Sequence, residues 1–155
     1  MPKTLNYSEG DCFLVNLRKG GYARGVVART NGKGIVFGYF FGPRIDQEQD
    51  ARVDTTVVPR QAIFLGLFGD LGLIKREWAV VGKIEPWCRD GWPMPPFVRA
   101  EEGGKTGFIT YYDEDSLLFI REEKVPLSQV ATDPLPDDGL WGYGAIEIRL
   151  TKLLG

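Results

Sequence analysis

DCFLVNLRKGGYARGVVARTNGKGIVFGYFF, residues 11–41, decides the fold. Asp11 to Leu17 predicts a strand with Phe13, Val15 and Leu17 on one face. Lys19-Gly20-Gly21 turns the chain, and Tyr22 to Arg29 predicts a second strand. Asn31-Gly32 signals a tight hairpin, because both residue types accept the positive φ that such turns need. Gly34 to Phe41 predicts a third strand, and alternation sends Tyr39 and Phe41 to one face and Phe40 to the other. Apolar residues on both faces predict a strand covered on both sides. Three strands joined by short glycine turns make a meander. Gly25 and Gly38, inside strands, mark bends or a close backbone approach.

Working outward, Gly42-Pro43-Arg44 leads into a polar stretch, Ile45 to Asp54, that reads as a loop. Ala62 to Phe68 predicts a strand, Gly69-Asp70-Leu71-Gly72 a turn, and Trp78 to Ile84 another strand. Trp87 to Phe97 holds Pro93, Pro95 and Pro96 and is excluded from any regular central strand. Thr106 to Tyr112 and Leu117 to Arg121 predict two strands around an acidic turn, and Pro126 to Gly139 a loop. Tyr143 to Leu154 fits both patterns: Ile146, Leu150, Leu153 and Leu154 recur at helical spacing, while Ile146, Ile148 and Leu150 alternate. Its length and Lys152 near the end, where the dipole favours a cation, decide for a helix. The fold class is mainly β (α+β): a bent antiparallel sheet or partly open barrel with a C-terminal helix. At 155 residues, 1–155 reads as a single domain able to bury a core without disulfides or metal.

The chain contains no histidine. That excludes Ser-His-Asp and Cys-His nucleophilic sites and imidazole-ligated zinc. Carboxylate, lysine, tyrosine or thiol chemistry remains, or binding without chemistry. Cys12 and Cys88 form no CxxC pair, and Cys12 sits in an apolar run that suits a buried thiol. No Walker or dinucleotide glycine pattern occurs. Asp70 is read as a carboxylate that fixes a turn, with an acid or base role as the rival. The sequence therefore assigns no catalytic residue, no metal ligand and no cofactor. Met1 to Ser8 lacks a signal-peptide apolar core, and no run reaches membrane-spanning length, so a cytoplasmic protein without a membrane partner is expected.

Net charge is -2, which implies no general affinity for nucleic acid, but the halves differ. Residues 1–77 hold 11 Lys/Arg against 8 Asp/Glu, and residues 78–155 hold 8 against 13. Glu101-Glu102, Asp113-Glu114-Asp115, Glu122-Glu123 and Asp137-Asp138 are either solvated strand ends or a negative face for a basic partner. Gly38 to Arg44 is the densest aromatic cluster: core packing, or a recognition patch through Tyr39 and Arg44. The proline-stiffened loop with Trp87, Trp92 and Met94 either caps the sheet or offers a surface that loses little entropy on binding. The candidate partner-binding residues are thus Tyr39, Arg44, Trp87, Trp92 and Met94 as anchors, with Glu101, Glu102, Asp113, Glu114 and Asp115 as steering carboxylates.

Several segments, in order, resemble the immunity 26 family. They are Glu9-Gly10-Asp11-Cys12-Phe13, Gly20 to Arg29, Gly38 to Arg44, Phe68 to Leu73, Trp92-Pro93-Met94-Pro95, Leu135 to Gly139, and Gly144-Ala145-Ile146-Glu147. The resemblance implies a bacterial protein that binds and neutralises a cognate toxin of a polymorphic-toxin system. Such toxins are often nucleases, which suits the acidic second half. It supplies no catalytic residues and no oligomeric state. The family name is also linked to a small phosphotriesterase. That chemistry needs a metal to make hydroxide and polarise the phosphoryl oxygen, and no clustered ligand motif suggests one. An intracellular ligand-binding module is the third reading.

Overall fold

Glycine-punctuated turns build the meander that residues 11–41 specify. The computed structural model describes residues 5–51, 57–101, 103–130 and 135–155. Strands β1 (Asp11–Asn16), β2 (Tyr22–Thr30), β3 (Ile35–Ile45) and β4 (Phe64–Gly69) pair antiparallel in sequence order. The short helix α1 (Leu71–Ile74) turns the chain, and β5 (Val80–Lys83) pairs with the outer edge of β1. β6 (Phe97–Ala100), β7 (Thr106–Tyr112) and β8 (Phe119–Pro126) form a separate three-stranded sheet. After α2 (Leu127–Val130), a two-residue strand β9 (Leu140–Trp141) joins the first sheet parallel to β4. That sheet has the order β5-β1-β2-β3-β4-β9. The chain ends in α3 (Tyr143–Leu154).

Both faces of the large sheet are covered. Val36 and Phe40 of β3 pack with Phe13, Phe68, Trp78 and the Ile146 and Leu150 stripe of α3. Phe37, Tyr39 and Phe41 face the other way, onto Leu67, Trp92, Phe97 and Leu117. Phe37 meets Phe97 edge-on at 5.7 Å, which joins the two sheets. The layers are therefore helix, large sheet, small sheet with loops. Each fully buried large apolar side chain contributes about 1.5–3 kcal/mol.

Two devices hold the layers in register. Glu147 of α3 is 8% exposed; its carboxylate accepts from Trp78 Nε1 at 2.9 Å and from Arg18 Nε at 3.1 Å. Arg18 N also donates to Thr151 Oγ1 at 2.9 Å. Asp70 Oδ2 accepts from the Tyr7 hydroxyl at 2.6 Å, while the Asp70 carbonyl accepts from Leu73 N and Ile74 N. Burial, reinforced by Asp70, raises the Tyr7 pKa well above the ordinary phenol value. The turn is thus closed by the Asp70 backbone carbonyl, while its carboxylate, which makes no cap bond to α1, ties the turn to Tyr7.

Gly25 shows why β2 tolerates no side chain in mid-strand. A Cβ there would fall 2.3 Å from Cζ of Phe13, whose ring stacks on Trp78 at 5.5 Å and 5°. Both rings are fully buried, so neither can swing aside. Gly25→Ala is expected to destabilise by about 1–3 kcal/mol through overpacking. A lowered urea midpoint with an unchanged slope would show it; an unchanged midpoint would mean the ring relocates freely.

Several boundaries differ from the sequence reading. β3 runs on through Gly42-Pro43-Arg44 to Ile45, which pairs with Tyr22 across a register shift. The expected strand from Leu117 begins instead at Phe119, because Leu117 has φ +57° and turns inward. β8 then extends to Pro126, and the expected loop 126–139 carries α2 and a parallel bridge from Asp137 to Val98. Trp78 precedes β5 rather than opening it, with its N bonded to Gly72 O at 3.0 Å. The segment from Trp87 is irregular, with a 3-10 turn at Arg89–Gly91, as its prolines require; β6 follows directly. No helix among the described residues is long and apolar enough to cross a membrane.

Candidate partner-binding face

The acidic turn between β7 and β8 is held by its own first carboxylate. Asp113 accepts from Ser116 N at 2.7 Å and Asp115 N at 3.0 Å. Those bonds, the Ser116 amide first, hold its pKa below the usual carboxylate value. Leu117 N donates to the Asp113 carbonyl, and Asp113 N to the Leu118 carbonyl, both at 2.9 Å. Leu117 adopts φ +57°, a left-handed conformation that costs a non-glycine residue of order 1–3 kcal/mol. Burial of its side chain, 4% exposed, offsets that cost.

With Leu117 turned inward, the next three residues point outward. Leu118, Phe119 and Ile120 are 66%, 58% and 58% exposed. β8 pairs with β7 alone, so its other edge carries no strand among the described residues. Edge strands are usually blunted by charge. Here the charges come only afterwards, at Arg121-Glu122-Glu123-Lys124. The Arg121 guanidinium lies 3.9 Å over the Tyr111 ring and pairs with Glu123. Arg99, 4.3 Å over Phe108, pairs with Glu122 at 3.1 Å.

Ion pairs bind the turn to the proline loop. Arg29, 2% exposed at its side chain, donates to Glu114 Oε1 at 3.0 Å. Arg89 donates to Asp115 Oδ1 at 2.7 Å and to the Glu114 carbonyl at 3.1 Å. Its Nε forms an ion pair with Glu9 Oε1 at 3.0 Å, and that oxygen accepts a hydrogen bond from Trp87 Nε1 at 3.1 Å. The carboxylates of Glu9, Asp113, Glu114 and Asp115 outnumber the guanidiniums of Arg29 and Arg89, so the network keeps a negative excess.

Four of the sequence-derived anchors meet in one cluster. The Tyr39 ring is edge-on to Trp92 at 5.1 Å, Trp92 lies 5.7 Å from Trp87, and Met94 packs against the same core. Tyr39 and Trp92 are interior, at 3% and 6% exposure. The Tyr39 hydroxyl donates to the Pro93 carbonyl, and burial pushes its pKa up to about 12. Trp87 and Met94 are half-buried, and Trp87 joins the Arg89 network through Glu9. Arg44 is apart from them, exposed and 3.3 Å from Asp46. Glu101 sits at the β6–β7 turn, bonded by the Thr106 hydroxyl and 3.7 Å from Lys124 Nζ; those two contacts lower its pKa. Glu102 lies outside the described residues.

The residues that sequence reasoning missed are Leu118, Phe119 and Ile120. The only signal was an apolar run with no alternation, which reads equally as a buried strand. The edge position is a tertiary fact. Among the described residues, no group of three or more Cys, Asp or Glu side chains is arranged to hold a metal ion.

The two thiols differ sharply. Cys12 is buried, and desolvation, with Asp11 adding, pushes its pKa up to about 11; Cys88 is exposed. A thiol reagent at pH 8 should therefore modify one thiol in the folded protein, at Cys88, and two after denaturation. Rapid native labelling at Cys12 would contradict this packing.

A family model described as Immunity protein 26 matches residues 8–108, from the turn before β1 into β7. No curated protein and no solved structure matches the chain. The matched residues cover well over half of the sequence and build most of the large sheet and the proline loop, and on that ground the chain belongs to the immunity protein 26 family.

Proposed function

We propose that this immunity protein neutralises its cognate toxin by direct binding through the open edge of β8 and the acidic turn beside it, and that the toxin is a basic nuclease. Membership of the family supports toxin neutralisation. The observation that carries the choice of surface is the run Leu118-Phe119-Ile120, each more than half exposed where β8 begins, beside an edge that carries no strand among the described residues. Large apolar side chains exposed at a strand edge mark interaction sites. The carboxylates of Glu114 and Asp115 rim it, and Trp87 and Met94 stiffen the loop that holds the rim. An apolar centre with a polar rim is the usual anatomy of a specific interface. About 800 Å² per partner suffices, a small share of the 8933 Å² accessible surface. A nuclease presents a cationic surface to phosphate, which the acidic rim complements. The binding unit is the whole of residues 1–155, acting in the bacterial cytoplasm.

Co-expression with the cognate toxin domain tests this reading, with growth rescue and co-purification as readouts. Rescue without a stable complex would end it. The rim has its own test. Removing two charges with Glu114→Gln and Asp115→Asn should slow association several-fold at low salt, roughly as steering predicts, and the difference should vanish at high salt. An unchanged association rate would remove the rim from the interface.

A further inference from the structure

We infer that a cationic cleft beside β4 binds an extended acidic segment of a partner protein. β9 pairs only with Leu67 and Phe68, so Phe64 to Gly66 have no strand on that side among the described residues. A cleft of about 550 Å³ opens there. Ile63 and Leu65 line it, with Pro95 and Pro136. The prolines offer no N–H. The strong donors in the lining are two guanidiniums: Arg60, from the 3-10 turn Pro59–Gln61, and Arg149, from α3. Both are exposed, and neither pairs with a carboxylate among the described residues. Asp137 is the one acidic group in the lining, which leaves it net positive.

Three features must be satisfied together: apolar walls, and, among the described residues, a strand edge without a neighbour and two guanidiniums without a carboxylate partner. A small anion would leave the walls wet. An apolar molecule would ignore the guanidiniums. An extended chain alternating apolar and acidic residues uses all three. Its backbone pairs with the β4 edge, and its side chains divide between walls and solvent with period two. Its carboxylates meet Arg60 and Arg149 in charge-assisted bonds. β9 already lies parallel against the same edge one step further on, so β4 has the geometry to accept such a neighbour. The cleft shares no residue with the β8 edge, and binding here does not depend on the toxin-binding surface proposed above.

The test uses the full chain and two fluorescein-labelled peptides of roughly strand length. One alternates Val and Glu, the other Val and Lys. The Val-Glu peptide should bind saturably by anisotropy and shift the amide resonances of Leu65 and Gly66 most. The Val-Lys peptide should not bind. Arg60→Glu with Arg149→Glu should weaken binding by about tenfold or more. Both side chains are exposed, so this variant should keep its thermal midpoint. The inference is overturned by no saturable binding of the Val-Glu peptide or by equal binding of both peptides. Resonance shifts confined to residues outside the cleft, or undiminished binding to the double variant, would also overturn it. None of these readouts involves the toxin, so failure here leaves the β8 surface untouched.

Discussion

Truncating Leu118, Phe119 and Ile120 together to alanine should weaken toxin binding by about 100-fold or more, with the fold intact. Central apolar anchors typically cost at least about 2 kcal/mol each when truncated, which is roughly 30-fold. Phe119→Ala alone should therefore show about 30-fold. The stability cost should be small, because all three side chains are more than half exposed. Surface changes of this kind stay within about 0.5 kcal/mol. Calorimetric titration with the toxin domain reads the first quantity and a urea midpoint reads the second. Wild-type affinity in the triple variant would show that the toxin sits elsewhere.

The largest stability effect is expected at Trp78. It is fully buried and lies within 6.0 Å, centroid to centroid, of the rings of Phe13, Phe68 and Tyr143. Trp78→Ala removes those contacts and should cost about 3–5 kcal/mol. A domain has only about 5–15 kcal/mol in total, so a populated unfolded fraction is expected. Trp78→Phe separates packing from polarity. It keeps a ring but deprives Glu147 of the indole donor at 2.9 Å, leaving a buried carboxylate with Arg18 alone. That should cost about 1–3 kcal/mol. Adding Glu147→Leu should recover part of the loss, because removing both partners is milder than stranding one. Denaturation curves of the single and double variants decide this; a double variant no better than the single would mean that the Glu147 carboxylate is held mainly by Arg18.

The meander was legible because each of its turns is local chemistry. Gly20, Gly21, Gly32 and Gly34 all take positive φ, and the Asn31 carboxamide accepts from Lys33 N and Ile35 N. Burial of β3 on both faces followed from its apolar run, and the ambiguous C-terminus is a helix, with Ile146 and Leu150 buried. Strand ends were less legible. The sequence pattern ends the third strand at Phe41 and opens a loop at Ile45, yet β3 runs on to Ile45 because Tyr22 offers a partner strand. Leu117 reads as a strand opener, and only its contacts with the core explain its inward turn. The acidic turn was visible in composition, but its ties to Arg29 and Arg89 span 85 and 26 positions of sequence and leave no local trace. The same holds for the β4 cleft, whose walls come from four separate stretches of chain.

The double covering of β2 and β3 sets a clock for the whole molecule. Amides shielded by side chains on both faces and strands on both sides open only when most of the structure does, so they should be the last to take up deuterium. The β8 amides, at a margin exposed on nearly every residue, should exchange orders of magnitude sooner. A guest that docks along that margin would slow only the fast set and leave the slow set unaltered.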